Sequence, residues 1–325
     1  MRVKKFVGIL CALTFVNCLF AATNSASSNT VPVSVTGTNS PAETELEQVM
    51  ENDDATLDEV DQWIRDNNAL AAKGAGEPND ELNKRIRARL DVMRKKYQDF
   101  LQRYPDSADG HLAYGTFLDD IGDEDLAAAE FETSRKLNPA NPAAWNNLGN
   151  YYSENGLLTN AFADYAKAIE LNSNEPVYYE NLATATYLYR KDAMAFYQID
   201  EPQVFDKALA LYQRAIQLDP TNFDLATDYA ESYYGIRPLR TNDALAAWTN
   251  AMHTAQTEVE REGVQIHLAR IKIAVGRFAE AQAHLDAVTN PFYDKIKTRL
   301  QKNLIDRENA ETNSMSATNS IAPAK

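Results

Sequence analysis

One stretch of this sequence, residues 142–175, constrains the fold more than any other. It carries two apolar stripes at helical spacing, first Trp145, Leu148 and Tyr152, then Ala161, Tyr165 and Ala168. Residues three and four apart lie on the same face of a helix, so each stripe predicts one amphipathic helix. Gly156 lies between the stripes and can take the positive φ with which helices commonly end. The stretch therefore predicts two antiparallel helices that share a buried face.

The same arrangement returns along the chain, which indicates a repeated helical pair. The positions in register with it are Gly115, Ala127, Phe131, Ser134 and Pro139; Tyr179, Leu182, Ala183, Ala208, Tyr212, Ala215 and Pro220; Tyr229, Ala230, Tyr233, Ala244, Trp248 and Ala251; and Leu268, Ala269, Ala281, Leu285 and Val288. The third copy is stretched by 13 residues, and the fifth lacks the aromatic residue and the closing proline. A single pair cannot bury both of its helices, so neighbouring pairs are expected to stack.

The pattern W-x2-L-G-x2-Y followed by A-x3-aromatic-x2-A resembles the tetratricopeptide repeat (TPR) family, whose unit is about 34 residues long. The resemblance covers more than half of the chain. It implies an all-α, right-handed solenoid of about five helix-hairpin repeats with capping helices at both ends. An unrelated helical bundle is the alternative, and a register kept over this distance argues against it.

The repeat register predicts the domain boundaries. Five units are expected over residues 108–295, at 108–141, 142–175, 176–222, 223–258 and 259–295. Residues 43–107 are predicted to form N-terminal helices, with Asp54 capping the second one and a long helix from Glu81 closing that end of the array. A C-terminal capping helix is predicted to start near Pro291, with Phe292 facing inward, and to continue over 296–310. Residues 311–325 predict a disordered tail.

The N-terminus has the layout of a secretory signal peptide. Three basic residues within the first five precede an apolar run from Phe6 to Phe20, and small alanines follow. We expect a signal peptide at 1–22, a mature chain that starts between about Ala22 and Ala26, and an uncharged, disordered tether at 23–42. An uncleaved N-terminal anchor is the alternative.

Both cysteines of the chain, Cys11 and Cys18, fall inside the predicted signal peptide. The mature protein is therefore expected to lack disulfide bonds, thiolate catalysis and cysteine metal sites. Lipidation of Cys18 is an alternative, but a bacterial lipobox needs a small residue before the cysteine and this chain has Asn17.

The composition and the spacing of possible site residues argue against several classes of function. The chain has 47 Asp and Glu against 32 Lys and Arg, a net charge of −15, which disfavours nucleic acid and anionic membranes as partners. A basic amphipathic helix near the C-terminus keeps membrane association open without predicting it. None of the histidines, His111, His253, His267 and His284, stands in a metal-ligand spacing, and no G-x-S-x-G or phosphate loop is present. We therefore expect no enzyme activity, no cofactor and no metal.

The resemblance implies a binding face. In TPR arrays the first helix of each unit lines a concave groove that holds a peptide or a protein segment. By register, this face carries Asp109, Leu112, Thr116 and Asp119; Asn146, Asn147, Asn150, Ser153 and Glu154; Glu180, Asn181, Thr184 and Tyr187; Thr227, Asp228, Glu231 and Tyr234; and Ile266, His267, Arg270 and Ile273. Asparagines offer donors and acceptors to an extended backbone, although they are equally expected on a wet face without function. An acidic, amide-rich groove favours a neutral or basic peptide.

The extra residues of the third unit, about 189–205, are too apolar for a solvated loop. One hypothesis is that the first helix of the unit continues past Tyr187 and packs, which good helix formers and Pro202 as a stop favour. The other is that Phe196 and Tyr197 form an aromatic patch for a partner.

These patterns predict a non-enzymatic interaction scaffold or adaptor, exported to the periplasm or the cell surface of a bacterium. Two alternatives stand beside it, a membrane-tethered envelope-assembly factor and a regulatory subunit of a cell-wall or exopolysaccharide enzyme. The identity of the partner and the oligomeric state stay open.

Overall fold

The structure, a computed structural model, describes residues 40–319, with side chains described through residue 313. The predicted signal peptide and residues 23–39 of the predicted tether lie outside this range. The described residues form α-helices and no strand, which confirms the predicted all-α class. No helix in this range combines the length and the apolar character that a membrane span requires.

The helices of the described range, in chain order, are α1 (Pro41–Ala71), α2 (Asn79–Arg103), α3 (Ala108–Asp120), α4 (Glu124–Leu137), α5 (Pro142–Glu154), α6 (Leu158–Leu171), α7 (Pro176–Leu188), α8 (Arg190–Tyr197), α9 (Glu201–Leu218), α10 (Phe223–Ser232), α11 (Thr241–Thr254), α12 (Glu258–Ala274), α13 (Phe278–Asp286) and α14 (Asp294–Asn319). Two short 3₁₀ turns, Tyr233–Gly235 and Pro291–Tyr293, follow α10 and precede α14.

These helices belong to two compact units, residues 1–174 and 175–325, called unit 1 and unit 2 below. In unit 1, α1 packs on α2, α3 on α4, and α5 on both α4 and α6. In unit 2, α7 pairs with α9, α10 with α11, and α12 with α13, while α14 covers both helices of the last pair. The short helix α8 lies between the two members of the α7–α9 pair in sequence and contacts both.

Glycines at positive φ end the first helix of three hairpins. Gly122, Gly156 and Gly276 have φ values of 85°, 73° and 77°. Residues with a Cβ are strained in this conformation, so glycine is the residue that lets the chain reverse there. The role predicted for Gly156 is confirmed.

Close packing inside the hairpins of unit 1 depends on a glycine that faces an aromatic ring. A Cβ built on Gly149 would lie 2.7 Å from Cδ1 of Tyr165, and one on Gly115 would lie 2.6 Å from Cδ1 of Phe131. Both rings are only 2% exposed. The two helices of each hairpin therefore approach more closely than any larger residue would permit.

The first helix differs from the two short helices expected from the sequence. It runs unbroken from Pro41, so the helix already includes the last two residues of the predicted tether, and Asp54 lies exposed in its middle instead of capping a second helix. The true N-cap is Ser40, whose hydroxyl accepts from the N–H of Glu43, while the Glu43 carboxylate accepts from the N–H of Ser40. No glycine or proline interrupts the segment after Pro41, so nothing forces a break at Asp54.

The C-terminal helix also departs from its predicted limits. α14 begins at Asp294 and continues through Asn319, so the part of the predicted tail from 311 to 319 is helical, and 320–325 lie outside the described range. The helix meets no proline or glycine in this span. Phe292, predicted to face inward, is 48% exposed because it lies in the 3₁₀ turn, where Tyr293 is the buried aromatic. Leu300 and Leu304 of α14 are buried.

Candidate functional site

The asparagines of α5 are less accessible than predicted. Asn146 is 5% exposed and its amide donates to Oδ1 of Asn147 at 3.3 Å. The prediction that Asn146 faces a ligand is therefore wrong, because α5 packs against both α4 and α6 and this side of the helix is covered. Asn147 and Asn150 are half-buried, and Oδ1 of Asn150 accepts a hydrogen bond from the Tyr165 hydroxyl at 2.8 Å. The side-chain amides of Asn146 and Asn150 therefore make contacts within unit 1.

The α7 residues of unit 2 divide into accessible and buried groups. Glu180 and Asn181 are half-buried. Tyr187 is 4% exposed, and its hydroxyl lies so close to Gly235 that a Cβ there would overlap it. Its ring also packs against Phe205 at 5.9 Å between centroids. Tyr187 is a packing residue, and the prediction that it faces a ligand is wrong.

Side chains from the 3₁₀ turn after α10, from α11 and from α12 meet in one aromatic cluster of unit 2, formed by Tyr234, Trp248 and His267. The His267 ring stacks on the Trp248 ring at 3.9 Å with an angle of 15°. The Tyr234 hydroxyl lies 3.0 Å from Nδ1 of His267, at hydrogen-bond distance. The exposed Arg270 places its guanidinium 4.7 Å from the centre of the Tyr234 ring. The predicted residues Tyr234 and Arg270 are therefore in contact. The stacking of His267 on Trp248 was not predicted from the sequence spacing.

Burial controls the charges around this aromatic cluster. Burial raises the pKa of Glu231, and the positive charge of Arg270 opposes that shift. Burial, with a smaller contribution from Arg270, lowers the pKa of His267 to about 3. His267 is therefore neutral at physiological pH, and Arg270 is the cation that this cluster presents to solvent.

The low pKa of His267 predicts that acid destabilises unit 2. Between about pH 6.5 and pH 3 the unfolded chain binds a proton at this position that the folded chain does not, so stability falls as the pH falls below about 6.5. Because the ring is only partly covered, we expect a loss of about 1 kcal/mol in unfolding free energy between pH 7.5 and pH 5.5.

Urea denaturation of the wild type and of His267→Phe at both pH values measures this contribution. Phenylalanine keeps the stack on Trp248 and does not titrate. When the pH is lowered from 7.5 to 5.5, the wild type should lose about 1 kcal/mol more unfolding free energy than His267→Phe. An identical pH dependence in both proteins would show that His267 does not cause it.

The insertion of the third unit forms a separate short helix. α7 ends at Leu188 and α8 follows from Arg190 to Tyr197, so the first helix does not simply continue past Tyr187. Gln198 then takes a left-handed φ of 55° and reverses the chain before α9. Pro202, predicted as a stop, lies in the first turn of α9, where its missing N–H is harmless.

The aromatic side chains of the insertion are half-buried. Phe196 and Tyr197 meet edge to face at 4.9 Å, and the ammonium of Lys207 on α9 lies 4.2 Å from the centre of the Tyr197 ring. Burial raises the pKa of Tyr197. These contacts favour packing over an exposed aromatic patch, although the helix that packs is α8 rather than an extension of α7.

The described residues hold no group of three or more histidine, cysteine or acidic side chains arranged to bind a metal ion. Three of the histidines have neutral or acidic partners: His111 meets Glu130, His267 meets Tyr234, and His284 meets Gln265. His253 is exposed at the end of α11.

Comparison with known proteins points to one family. Residues 118–176 match the family model described as tetratricopeptide repeat. No curated protein matched the chain. The C-terminal part of a TPR repeat-containing protein from Cytophaga hutchinsonii is similar to this structure, with a TM-score of 0.50, 15% identity, and coverage of 78% of this chain and 98% of that chain.

Two further solved structures are similar at lower scores. One is pilF of Pseudomonas aeruginosa, with a TM-score of 0.48, 13% identity, and coverage of 75% of this chain and 99% of that one. The other is YrrB, described as a TPR protein with an unusual peptide-binding site, with a TM-score of 0.47, 13% identity, and coverage of 63% and 97%. Residues 118–176 therefore match tetratricopeptide repeats, and the described helical hairpins have the all-α fold of the similar solved structure.

Proposed function

We propose that this protein is a non-enzymatic adaptor that binds a neutral or basic peptide segment through the first helices of the repeats in unit 2. The family supports the general statement, because TPR folds are protein interaction scaffolds. The more specific proposal depends on which side chains of unit 2 converge and what they offer to a ligand.

The observation that carries the proposal is the convergence of two carboxylates on one buried hydroxyl. Burial raises the pKa of Tyr212 well above its usual range, and Asp228 of α10 and Glu180 of α7 raise it further. The Tyr212 hydroxyl lies 2.8 Å from Oγ1 of Thr184 on α7, and the Tyr212 ring packs against Tyr229 of α10 at 6.4 Å between centroids. Glu180 and Asp228 therefore approach the same buried tyrosine from two helices, and both are half-buried. Two negative groups from different helices create a site that attracts N–H donors and cationic side chains.

The aromatic cluster supplies the complementary chemistry. The Arg270 guanidinium, held over Tyr234, can donate to the backbone carbonyls of a bound peptide, which the carboxylates cannot do. Asn181 adds an amide that donates and accepts. An extended peptide needs both donors and acceptors for its backbone, and unit 2 offers both.

Site-specific photo-cross-linking in native cells tests this proposal. A photoreactive residue in place of Asn181 is expected to give one adduct of defined mass. The charge reversals Glu180→Lys and Asp228→Lys should reduce that adduct strongly. The matched control Asp243→Lys with Asp286→Lys makes the same change in net charge at exposed positions on second helices, and should leave the adduct intact. Equal adduct yields in both double variants would contradict the proposed site, provided that circular dichroism shows the same helix content.

We further propose that the adaptor acts in the bacterial envelope after export. The basic and apolar pattern of residues 1–22 supports this location. Intact-mass measurement of exported protein should give a chain that starts between about Ala22 and Ala26. A mature protein that retains Cys11 would rule out cleavage there.

A further inference from the structure

Unit 1 contains an open pocket that the binding face does not include. It has a volume of about 370 Å³ and lies between α2, α3 and α4. Its lining residues are Arg94, Gln98, Leu101, Gln102, His111, Tyr114, Leu118, Leu126 and Glu130. The α3 residues of the pocket form a different stripe from Asp109, Leu112, Thr116 and Asp119, which the repeat register assigns to the groove.

The next repeat shows what occupies the same positions when they are filled. One repeat length of 34 residues later, Leu101 corresponds to Arg135, His111 to Trp145, Gln98 to Glu132 and Glu130 to Asp164. The register is supported by one shared contact. Nε1 of Trp145 donates to the carbonyl of Pro139 at 2.9 Å, and Nε2 of His111 lies 2.9 Å from the carbonyl of Pro105.

In the second repeat a guanidinium fills this space. The Arg135 guanidinium lies 4.7 Å from the centre of the Trp145 ring. It donates to both oxygens of Glu132 at 2.7 Å and to Asp164 at 3.4 Å. The Tyr152 hydroxyl also donates to Glu132, at 2.9 Å. The chain thus builds, from its own residues, a stacked and hydrogen-bonded arginine site.

In the first repeat the internal arginine is replaced, and one of its two carboxylate partners is kept. Glu130 stands in place of Asp164, while the neutral Gln98 stands in place of Glu132. The Leu101 side chain is shorter than that of Arg135 and carries no guanidinium, and the ring of His111 is smaller than that of Trp145. The space between the helices therefore stays open. Glu130 has Nδ1 of His111 at 2.5 Å. A contact this short needs a proton between the two atoms, so Nδ1–H of His111 donates to Oε2 of Glu130. A carboxylate has several acceptor sites, so Glu130 can accept from a second donor as well.

We propose that this pocket binds an arginine side chain of a protein partner, which takes the place that Arg135 occupies in the next repeat. Glu130 accepts from the guanidinium, Gln98 and Gln102 supply neutral acceptors, and Leu101 and Leu126 cover the alkyl stem. The charged groups of the lining are one carboxylate, Glu130, and one guanidinium, Arg94, besides the imidazole of His111. Arg94 does not oppose the ligand strongly, since it forms an ion pair with Asp123.

The test is an NMR titration of the isotope-labelled full chain with two acetylated, amidated tripeptides. One is Gly-Arg-Gly, and the other carries citrulline, which has the shape of arginine without its charge. The arginine peptide should shift amides near Gln98, His111 and Glu130, and the citrulline peptide should bind about tenfold more weakly. Equal binding of the two peptides, or shifts scattered over the chain, would overturn the proposal.

Two variants locate the site. Glu130→Gln keeps the shape of the pocket and removes its carboxylate, so arginine binding should weaken about tenfold. The double variant Leu101→Arg with His111→Trp fills the pocket with the groups of the second repeat and should abolish binding without lowering the melting temperature. Unchanged binding in either folded variant contradicts the proposal, and Glu130→Gln decides alone if the filled variant does not fold. The unit 2 variant Glu180→Lys with Asp228→Lys should bind the arginine peptide normally, so this site and the proposed groove can fail separately.

Discussion

Replacing Phe196 and Tyr197 together with serine is expected to lower the free energy of unfolding by about 2–4 kcal/mol, whether or not a partner is present. Both rings are half-buried, and they pack edge to face at 4.9 Å on the short helix α8. Serine removes most of this apolar area and also the ring beneath Lys207. α8 has only eight residues, so it depends on these contacts with its neighbours for its stability.

The control for this change lies on the exposed face of the same helix. Lys191→Ser with Ala195→Ser makes two serine substitutions at exposed positions and should cost much less. Urea denaturation followed by circular dichroism measures both variants. If the double aromatic variant keeps full stability but no longer captures a partner, the aromatic residues form an interaction patch and the packing interpretation is wrong. If neither property changes, both hypotheses for the insertion fail.

Replacing Gly149 with leucine is expected to destabilise unit 1 by about 1–3 kcal/mol. The first carbon of any side chain there would lie 2.7 Å from Cδ1 of Tyr165, well inside van der Waals contact. The ring cannot move aside cheaply, because it is 2% exposed and its hydroxyl is held by Asn150 at 2.8 Å. The two helices α5 and α6 would have to separate, which opens the core between them.

The matched control is Ala163→Leu, which adds a leucine at an exposed position on the facing helix α6. It should leave the melting temperature nearly unchanged, while Gly149→Leu should lower it by several degrees. Gly115→Leu should behave like Gly149→Leu, since a Cβ there would meet Phe131 at 2.6 Å. A melting temperature unaffected by Gly149→Leu would show that the repeat register assigned to this hairpin is wrong.

The repeat itself was readable from the sequence for a physical reason. A hairpin of two short helices buries one stripe on each helix, and its turn needs a residue that tolerates positive φ. The apolar spacing of Trp145, Leu148 and Tyr152 therefore predicted a helix, and Gly156 predicted its end. The contact between Gly149 and Tyr165 was also predictable, because small and aromatic residues must alternate where helices touch.

Helix limits were less predictable where capping residues appear inside a helix. Asp54 has the chemistry of a cap, but α1 continues through it because no glycine or proline interrupts the chain and the helix packs on α2. The polar composition after residue 310 suggested disorder, yet α14 extends to Asn319. Composition predicts how a segment behaves in isolation. A helix that is already nucleated and held by packing can extend through a polar segment, because adding residues to it needs no new nucleation.

The sequence determined the class of fold and the positions of its helical pairs, because periodicity and turn residues are local properties. Only the tertiary structure decided which polar residues remain accessible. Asn146 and Tyr187 have the register of a groove and are buried by neighbouring helices, while His267 stacks on Trp248 from a different helix. The pocket beside Glu130 could not be predicted from local patterns either. It is open because Leu101 and His111 stand where the next repeat has Arg135 and Trp145. Burial and empty space arise from the contacts of residues far apart in sequence, and no local pattern records them.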